Sequence, residues 1–308
     1  MRYDINLFLE LNEEYKTKPL VAEPPKYDKA TLIERANKRA INIDRRMSVS
    51  KKRVLEIGCG RGEVCRALNS HFGCEVVGVD VSKYPNWDEH QDGVSLIQTD
   101  LTDDNPLDLG SFDIIYSNSV WEHVRHPYRM LERAFEVLKP GGHLLLSANL
   151  YRGPKASHRY REIFFPWPHL LFSDEVIDEF YRKHLKKSPV GDTWMQDNSA
   201  EPSYRQVTLY GSSWVNQLSI ADYFNYFNLV GFEPLHTKYS TTPLDEDFLQ
   251  RFADKLDRYP RYDLERDFIH VTLLKPLRVE QETKNQIATT LKANKSSGWM
   301  NKLFGKSG

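Results

Sequence analysis

A chain of 308 residues has room for one large domain or two ordinary ones, and 40% hydrophobic residues suffice for a buried core. Lys plus Arg (42) almost cancel Asp plus Glu (43), which argues against a general nucleic-acid binder with its clearly basic surface. Three cysteines give neither a disulfide framework nor paired metal spacing, so Cys59, Cys65 and Cys74 are expected as buried free thiols in a reducing compartment.

The N-terminal stretch carries Glu10, Glu13 and Glu14 and has no continuous apolar run of signal-peptide type. No window approaches the eighteen or so apolar residues of a membrane span, so a soluble, cytoplasmic protein is expected. Residues 1–50 are polar and helix-compatible, broken at Pro24-Pro25. From there strands and helices alternate: Val54–Ile57 strand, Val64–Phe72 helix, Glu75–Val79 strand ending at Asp80, Ser95–Gln98 strand ending at Thr99-Asp100, and Phe112–Tyr116 strand. Pro127 opens a helix, where its missing N–H costs nothing; Met130, Leu131, Ala134, Phe135, Val137 and Leu138 form its apolar face. Lys139-Pro140-Gly141-Gly142 stops it, and His143–Ser147 is the fifth strand. Such alternation predicts parallel pairing with right-handed crossovers, hence an α/β doubly wound sheet. Residues 51–150 thus form one half of a domain, 151–205 an inserted lid, 206–276 the closing half with a helix at Ser219–Leu229 and strands at Phe232–Tyr239 and Phe268–Lys275, and 277–308 a basic, mobile tail.

The most informative stretch is Val54–Gly62, V-L-E-I-G-C-G-R-G. Its alternate glycines, Gly58, Gly60 and Gly62, let the backbone turn sharply and approach a ligand, and the helix that follows offers free N–H groups. A dinucleotide site needs its third glycine one residue later, where Glu63 stands. Asp80 lies twenty residues beyond Gly60, placed to accept both ribose hydroxyls, and Asp100 ends the next strand. Two acids in the crevice at the carboxyl ends of adjacent strands suit a cationic cofactor better than a phosphorylated one.

Val54–Gly62, Val77–Asp80, Thr99-Asp100-Leu101, Phe112–Val124 (F-D-I-I-Y-S-N-S-V-W-E-H-V) and Leu138–Ser147 together resemble the successive motifs of class I S-adenosylmethionine-dependent methyltransferases. The nearest subgroup has Glu-His after strand four and a helix ending in Lys-Pro-Gly-Gly. The resemblance covers residues 50–150. It implies a Rossmann-like, seven-stranded, mostly parallel sheet with an antiparallel last strand, and S-adenosyl-L-methionine as cofactor. Carried over by position, Gly58, Gly60 and Gly62 would pass under the methionine part and Glu56 would support the loop or the amino group. Asp80 would hold the ribose, and Asp100 with the Leu101 backbone the adenine. Ser117 and Asn118 would lie near the methionine moiety and the transferred methyl. Two plainer readings stay open: Glu56 as a brace of the turn, and Asp100 as a helix cap.

The acceptor must be aligned with the S–CH₃ bond, and a hydroxyl acceptor is helped by a general base. His123 leads on position, Glu122 is its rival, and a scaffolding role for His123 is an equal alternative. His126 could cap the helix, and His143 is expected to pack. The Asn-Pro-Pro-Tyr pattern for planar amino groups is absent, as is a compact acidic cluster for a metal, so oxygen methylation with no metal is expected. Arg152, Lys155, His158, Arg159 and Arg161 beside the aromatic run Phe164–Phe172 would suit an anionic small-molecule or glycan acceptor, such as a nucleotide sugar. Alternatively the aromatics fill a small subdomain core, or the surface is a homodimer contact. Trp299–Phe304 in the tail could touch a membrane surface or a partner. Competing functions are a nicotinamide-dependent oxidoreductase and a non-catalytic cofactor-binding scaffold.

Overall fold

The computed structural model describes residues 2–18, 20, 28–104, 107–155, 162–186, 207–208, 212–213, 215–243 and 245–277. His158, Arg159, Arg161 and the 299–304 segment lie outside these residues.

Five strands pair in parallel: β1 (Arg53–Ile57), β2 (Glu75–Asp80), β3 (Val94–Gln98), β4 (Phe112–Asn118) and β5 (Leu138–Asn149). Two more close the sheet, β6 (Glu233–Thr241) and β7 (Arg266–Leu274), with β7 antiparallel to both of its neighbours. The order is β3-β2-β1-β4-β5-β7-β6, so the doubly wound sheet expected from the alternation is present, with the seven strands and antiparallel last strand that the resemblance implies. The reversal of strand order between β1 and β4 opens a crevice at the carboxyl ends of the strands, where doubly wound sheets hold ligands.

Helices cover both faces. On one lie α1 (Ile5–Glu14)'s successor α2 (Lys29–Met47) and α3 (Glu63–Phe72), which bury Ala36, Ala40, Ile43, Val64, Cys65 and Leu68 against Val54, Val76, Ile114, Tyr116 and Leu145. On the other lie α4 (Pro127–Val137) and α5 (Ile220–Val230), packing Met130, Leu131, Ala134, Tyr223 and Phe227 on Leu55, Ile57, Ile115, Leu144 and Leu146. Each strand feeds both layers because its side chains alternate, and each fully buried Leu or Phe contributes roughly 1.5–3 kcal/mol. Pro127 occupies the first turn of α4, and Ser219 caps α5 with a reciprocal capping box to Asp222. His126 precedes α4 without a side-chain capping bond.

One boundary differs from the sequence expectation. The Lys139–Gly142 segment ends α4 but already belongs to β5: Leu138 pairs with Phe112, and after a bulge His143 pairs with Ile114. Gly141 takes a φ of 78°, and a Cβ at Gly142 would lie 2.8 Å from the Lys139 carbonyl oxygen and 2.9 Å from that of Asp113. The glycine pair turns the chain within the ladder rather than before it.

A second core forms apart from the sheet. Phe8 and Leu11 of α1 meet Ile163, Phe165, Trp167, Leu170, Leu171 and Phe172, together with Phe248, Phe252, Leu256 and Leu264. The aromatic run between strands five and six is therefore the interior of a small cap. Two of the basic residues beside it are committed: Arg152 Nη1 stands 2.7 Å from Asp263 Oδ2, and Lys155 Nζ 3.3 Å from Asp267 Oδ2.

Candidate active site

The glycine loop is shaped by three left-handed residues, Gly58, Gly60 and Gly62, with φ of 73°, 52° and 79°. Two of them are also packed tightly. A Cβ at Gly58 would fall 2.2 Å from Val120 Cγ2, and one at Gly62 2.7 Å from Leu96 Cδ1, whereas at Gly60 it would meet nothing within 4 Å. The middle of the loop faces open space.

Backbone bonds from Gly58 and Cys59 to the Val79 carbonyl (2.8 and 3.1 Å) tie the loop to the end of β2. Asp80, at that end, accepts the Gly60 N–H at 2.9 Å on one oxygen and the Ser82 N–H at 3.0 Å on the other. Burial raises the Asp80 pKa, and these backbone N–H groups pull it back. Two bonds leave lone pairs on both oxygens, because an ionised carboxylate offers about four acceptor sites. Sequence reasoning missed the brace behind the loop. Trp87 donates its indole N–H to the Gly60 carbonyl (2.7 Å), while Asn86 Nδ2 and Arg66 Nη1 donate to that of Arg61 (2.7 and 2.8 Å). Only the Pro-Asn-Trp turn just after Asp80 hints at it.

Glu56 lies beneath the loop, on the α2 and α3 side of β1, where it accepts the Cys65 thiol at 2.9 Å. Burial pushes its pKa up to about 8, offset in part by the Cys65 bond and the Arg39 guanidinium. Cys65 is held far above the usual thiol range by burial, and Cys59 and Cys74 are buried thiols as well. Asp100 Oδ1 accepts both the N–H (2.8 Å) and the hydroxyl (2.7 Å) of Thr102, the bonding of an Asx turn, and the Leu101 side chain enters the main core.

Strand β4 delivers the rest of the edge. Ser117 is fully buried and donates to the Ile57 carbonyl at 3.0 Å, joining the end of β4 to the end of β1. Asn118 follows, and Ser119, with φ of 57°, turns the chain into the short 3-10 turn Trp121–His123. Glu122 is 2% exposed; Asn149, at the end of β5, donates to its Oε1. His123 Nε2 stands 4.0 Å from the same Oε1, and the His123 side chain is about one-fifth exposed. Asn216 clamps this turn: its N–H reaches the Glu122 carbonyl (2.8 Å) and its Nδ2 the Trp121 carbonyl (2.6 Å). Gly58, Gly60, Gly62, Asp80, Asp100, Ser117, Asn118, Glu122 and His123 thus gather along one edge of the sheet, with Glu56 behind. His143 sits further back along β5, half-buried, its pKa lowered by burial. Among the described residues no group of three or more His, Cys, Asp or Glu could hold a metal ion, and no helix is long and apolar enough to cross a membrane.

A doubly wound sheet with this strand order, a glycine loop over β1 and an acid ending β2 defines a nucleotide-cofactor enzyme of the Rossmann-like class. Glu63, the first residue of α3, would set a carboxylate against any pyrophosphate at that helix end. Residues 30–188, half of the chain, match the family model described as a methyltransferase domain, and the chain belongs to that family. Its class is that of S-adenosylmethionine-dependent methyltransferases, with S-adenosylmethionine as the cofactor. Among similar proteins are the ubiquinone biosynthesis O-methyltransferases of Pseudomonas paraeruginosa, 28% identical over 52% of this chain and 68% of the relative, and of Pseudomonas aeruginosa, 31% identical over 37% and 51%. The chain spans about half the length of most such relatives. An S-adenosylmethionine-dependent methyltransferase from Mesorhizobium loti superposes with a TM-score of 0.43 at 20% identity, over 73% of this chain and 92% of the other.

Proposed function

We propose that this methyltransferase transfers the methyl group to an oxygen of a small-molecule acceptor, with His123 as general base. The reading rests chiefly on the Glu122–His123 turn, set one short turn beyond Asn118 and anchored by Asn149. The cofactor fits the residues present: the space above Gly60 admits a ligand against bare backbone, and Asp80 keeps acceptor lone pairs for a ribose diol. Gly58, Gly60 and Gly62 would line the methionine part, with Ser117 and Asn118 beside it; Asp100 and the Leu101 backbone would border the adenine, and Glu56 would brace the loop from below. S-adenosylmethionine supplies a methyl already activated on a sulfonium sulfur, so the chain's task is alignment and proton removal.

In that task His123 would take the proton of the acceptor hydroxyl as its oxygen receives the methyl group, with S-adenosylhomocysteine as the other product. Glu122, held by Asn149, faces the imidazolium that results and favours its charge. The relatives named for O-methylation support oxygen as the accepting atom. Incubation with S-adenosylmethionine and a panel of hydroxylated aromatic, quinol and nucleotide-sugar acceptors, read as S-adenosylhomocysteine formed, tests the reading. Turnover with amine acceptors alone would overturn it.

A further inference from the structure

Of the cations foreseen in the insertion, Arg152 and Lys155 are paired with Asp263 and Asp267, yet a different set of cations stands on the sheet. Asn118 of β4 pairs with Ser147 of β5, Ser147 with His270 of β7, and His270 with Lys238 of β6. Residues paired across a sheet share a face, and strands lie about 4.8 Å apart, so Ser147 and His270 sit roughly 5 and 10 Å from Asn118 along one row. The row lies on the α2 face, since Leu145 packs there while Leu146, Ile269 and Val271 point the other way. Asp267 belongs to that other face.

The row is polar and positively charged. Ser147 Oγ and His270 Nδ1 are 2.9 Å apart. Arg46 reaches down from α2 and donates to Thr272 Oγ1 at 2.6 Å, one β7 residue on from His270 on the same face. The His270 pKa is lowered first by burial, then by the charges of Arg46 and Lys238, so both cations act on this ring. Among the described residues neither Arg46 nor Lys238 forms an ion pair with a carboxylate. The Phe268 ring adds a flat wall, its centroid 4.8 Å from that of His270. Asn149, paired with Phe268 and bonded to Glu122, joins the row to the turn that carries His123.

We infer that Arg46, Lys238 and His270 form the subsite for an oxyanion, carboxylate or phosphate, on the methyl acceptor. The inference rests on the methyltransferase reading for its meaning, but the site can be tested by itself. Two cations beside one imidazole, neither paired with a carboxylate among the described residues, favour a bound anion over an empty surface. An anion there adds a third partner for the ring: His270 gains a charge-assisted bond through Nε2 while Nδ1 keeps Ser147.

The imidazole signals of His270 are followed by NMR during titration with inorganic phosphate and, separately, acetate, with the protein saturated in S-adenosylhomocysteine. Both anions are expected to move the His270 signals saturably, and Arg46→Gln with Lys238→Gln is expected to weaken the response at least tenfold. Stronger binding of phosphate or of acetate identifies which oxyanion the subsite takes. Signals that stay still, or that move equally in the double variant, overturn the inference. Calorimetry with S-adenosylhomocysteine on the same samples separates the two readings. Retained cofactor binding with a silent His270 removes the subsite alone, and lost cofactor binding with a responsive His270 removes the methyltransferase reading alone.

Discussion

Asp80 Oδ2 accepts the Gly60 N–H at 2.9 Å, so the acid at the end of β2 fixes the glycine loop and keeps lone pairs facing the crevice. On the proposed role, loss of this side chain would remove a loop anchor and a ribose acceptor together. Asp80→Ala is expected to weaken S-adenosylhomocysteine binding by about 10- to 100-fold, the worth of one or two hydrogen bonds to a charged group. Asp80→Asn, which keeps an oxygen acceptor for Gly60, should lose less. Isothermal titration of both variants checks the order, and undiminished binding by Asp80→Ala would sink the assignment.

The two packed glycines and the open one should separate folding from binding. Gly58→Ala places a methyl group against Val120 and in left-handed backbone, so thermal stability should fall by about 2 kcal/mol or more. Gly60→Ala bears only the left-handed penalty of about 1–2 kcal/mol, but its methyl enters the open space above the loop. Its cofactor affinity should drop at least tenfold while the protein remains folded. Thermal melts with and without S-adenosylhomocysteine read both effects; equal ligand-induced stabilisation in Gly60→Ala and wild type would show that no ligand occupies that space.

The sheet was legible because its strands announce themselves by apolar runs ending in Gly58, Asp80, Asp100 and Asn118, each at a crossover. Local pattern carries that information. The partners of Arg46, Lys238 and His270 are set by register between β5, β7 and β6, which no local pattern fixes, so the row went unseen. Arg35, Arg39 and Arg46 do flank the apolar stripe Ala36, Ala40 and Ile43 of α2 at helical spacing, a signal that this helix edge is charged beside the sheet. Arg152 and Lys155 failed in the opposite sense: their sequence neighbours are aromatic, but their carboxylates come from more than a hundred residues away.

His123 and Glu122 should differ in kind. His123→Ala is expected to lower turnover by about 10²–10⁴ and to leave S-adenosylhomocysteine affinity nearly intact, because only the proton-transfer role is removed. Glu122→Gln keeps an acceptor for Asn149 and should cost less, acting through the imidazolium it faces. Turnover of the two variants side by side checks this: His123→Ala should fall well below Glu122→Gln. Unchanged turnover in His123→Ala would leave the histidine as scaffold.

Glu56 makes a prediction about stability alone. Its pKa in the folded chain, about 8, lies above the ordinary carboxylate value of 4.5, so the folded state holds a proton that the unfolded state releases between those pH values. The contribution is fully present below pH 4.5 and is lost as pH rises through 8. Across that window the slope approaches one proton, about 1.4 kcal/mol per pH unit at its steepest. Glu56→Gln keeps the shape and an oxygen for the Cys65 thiol but cannot ionise. His143 and His270, whose pKa values are lowered, work in the opposite direction below pH 6.5, yet they are common to both proteins and cancel in the difference. Wild type minus Glu56→Gln, from denaturant unfolding at several pH values, should therefore fall steadily as the pH rises. A difference that stays flat would mean Glu56 ionises as readily in the folded chain as in the unfolded one, and that the loop rests on a charged carboxylate.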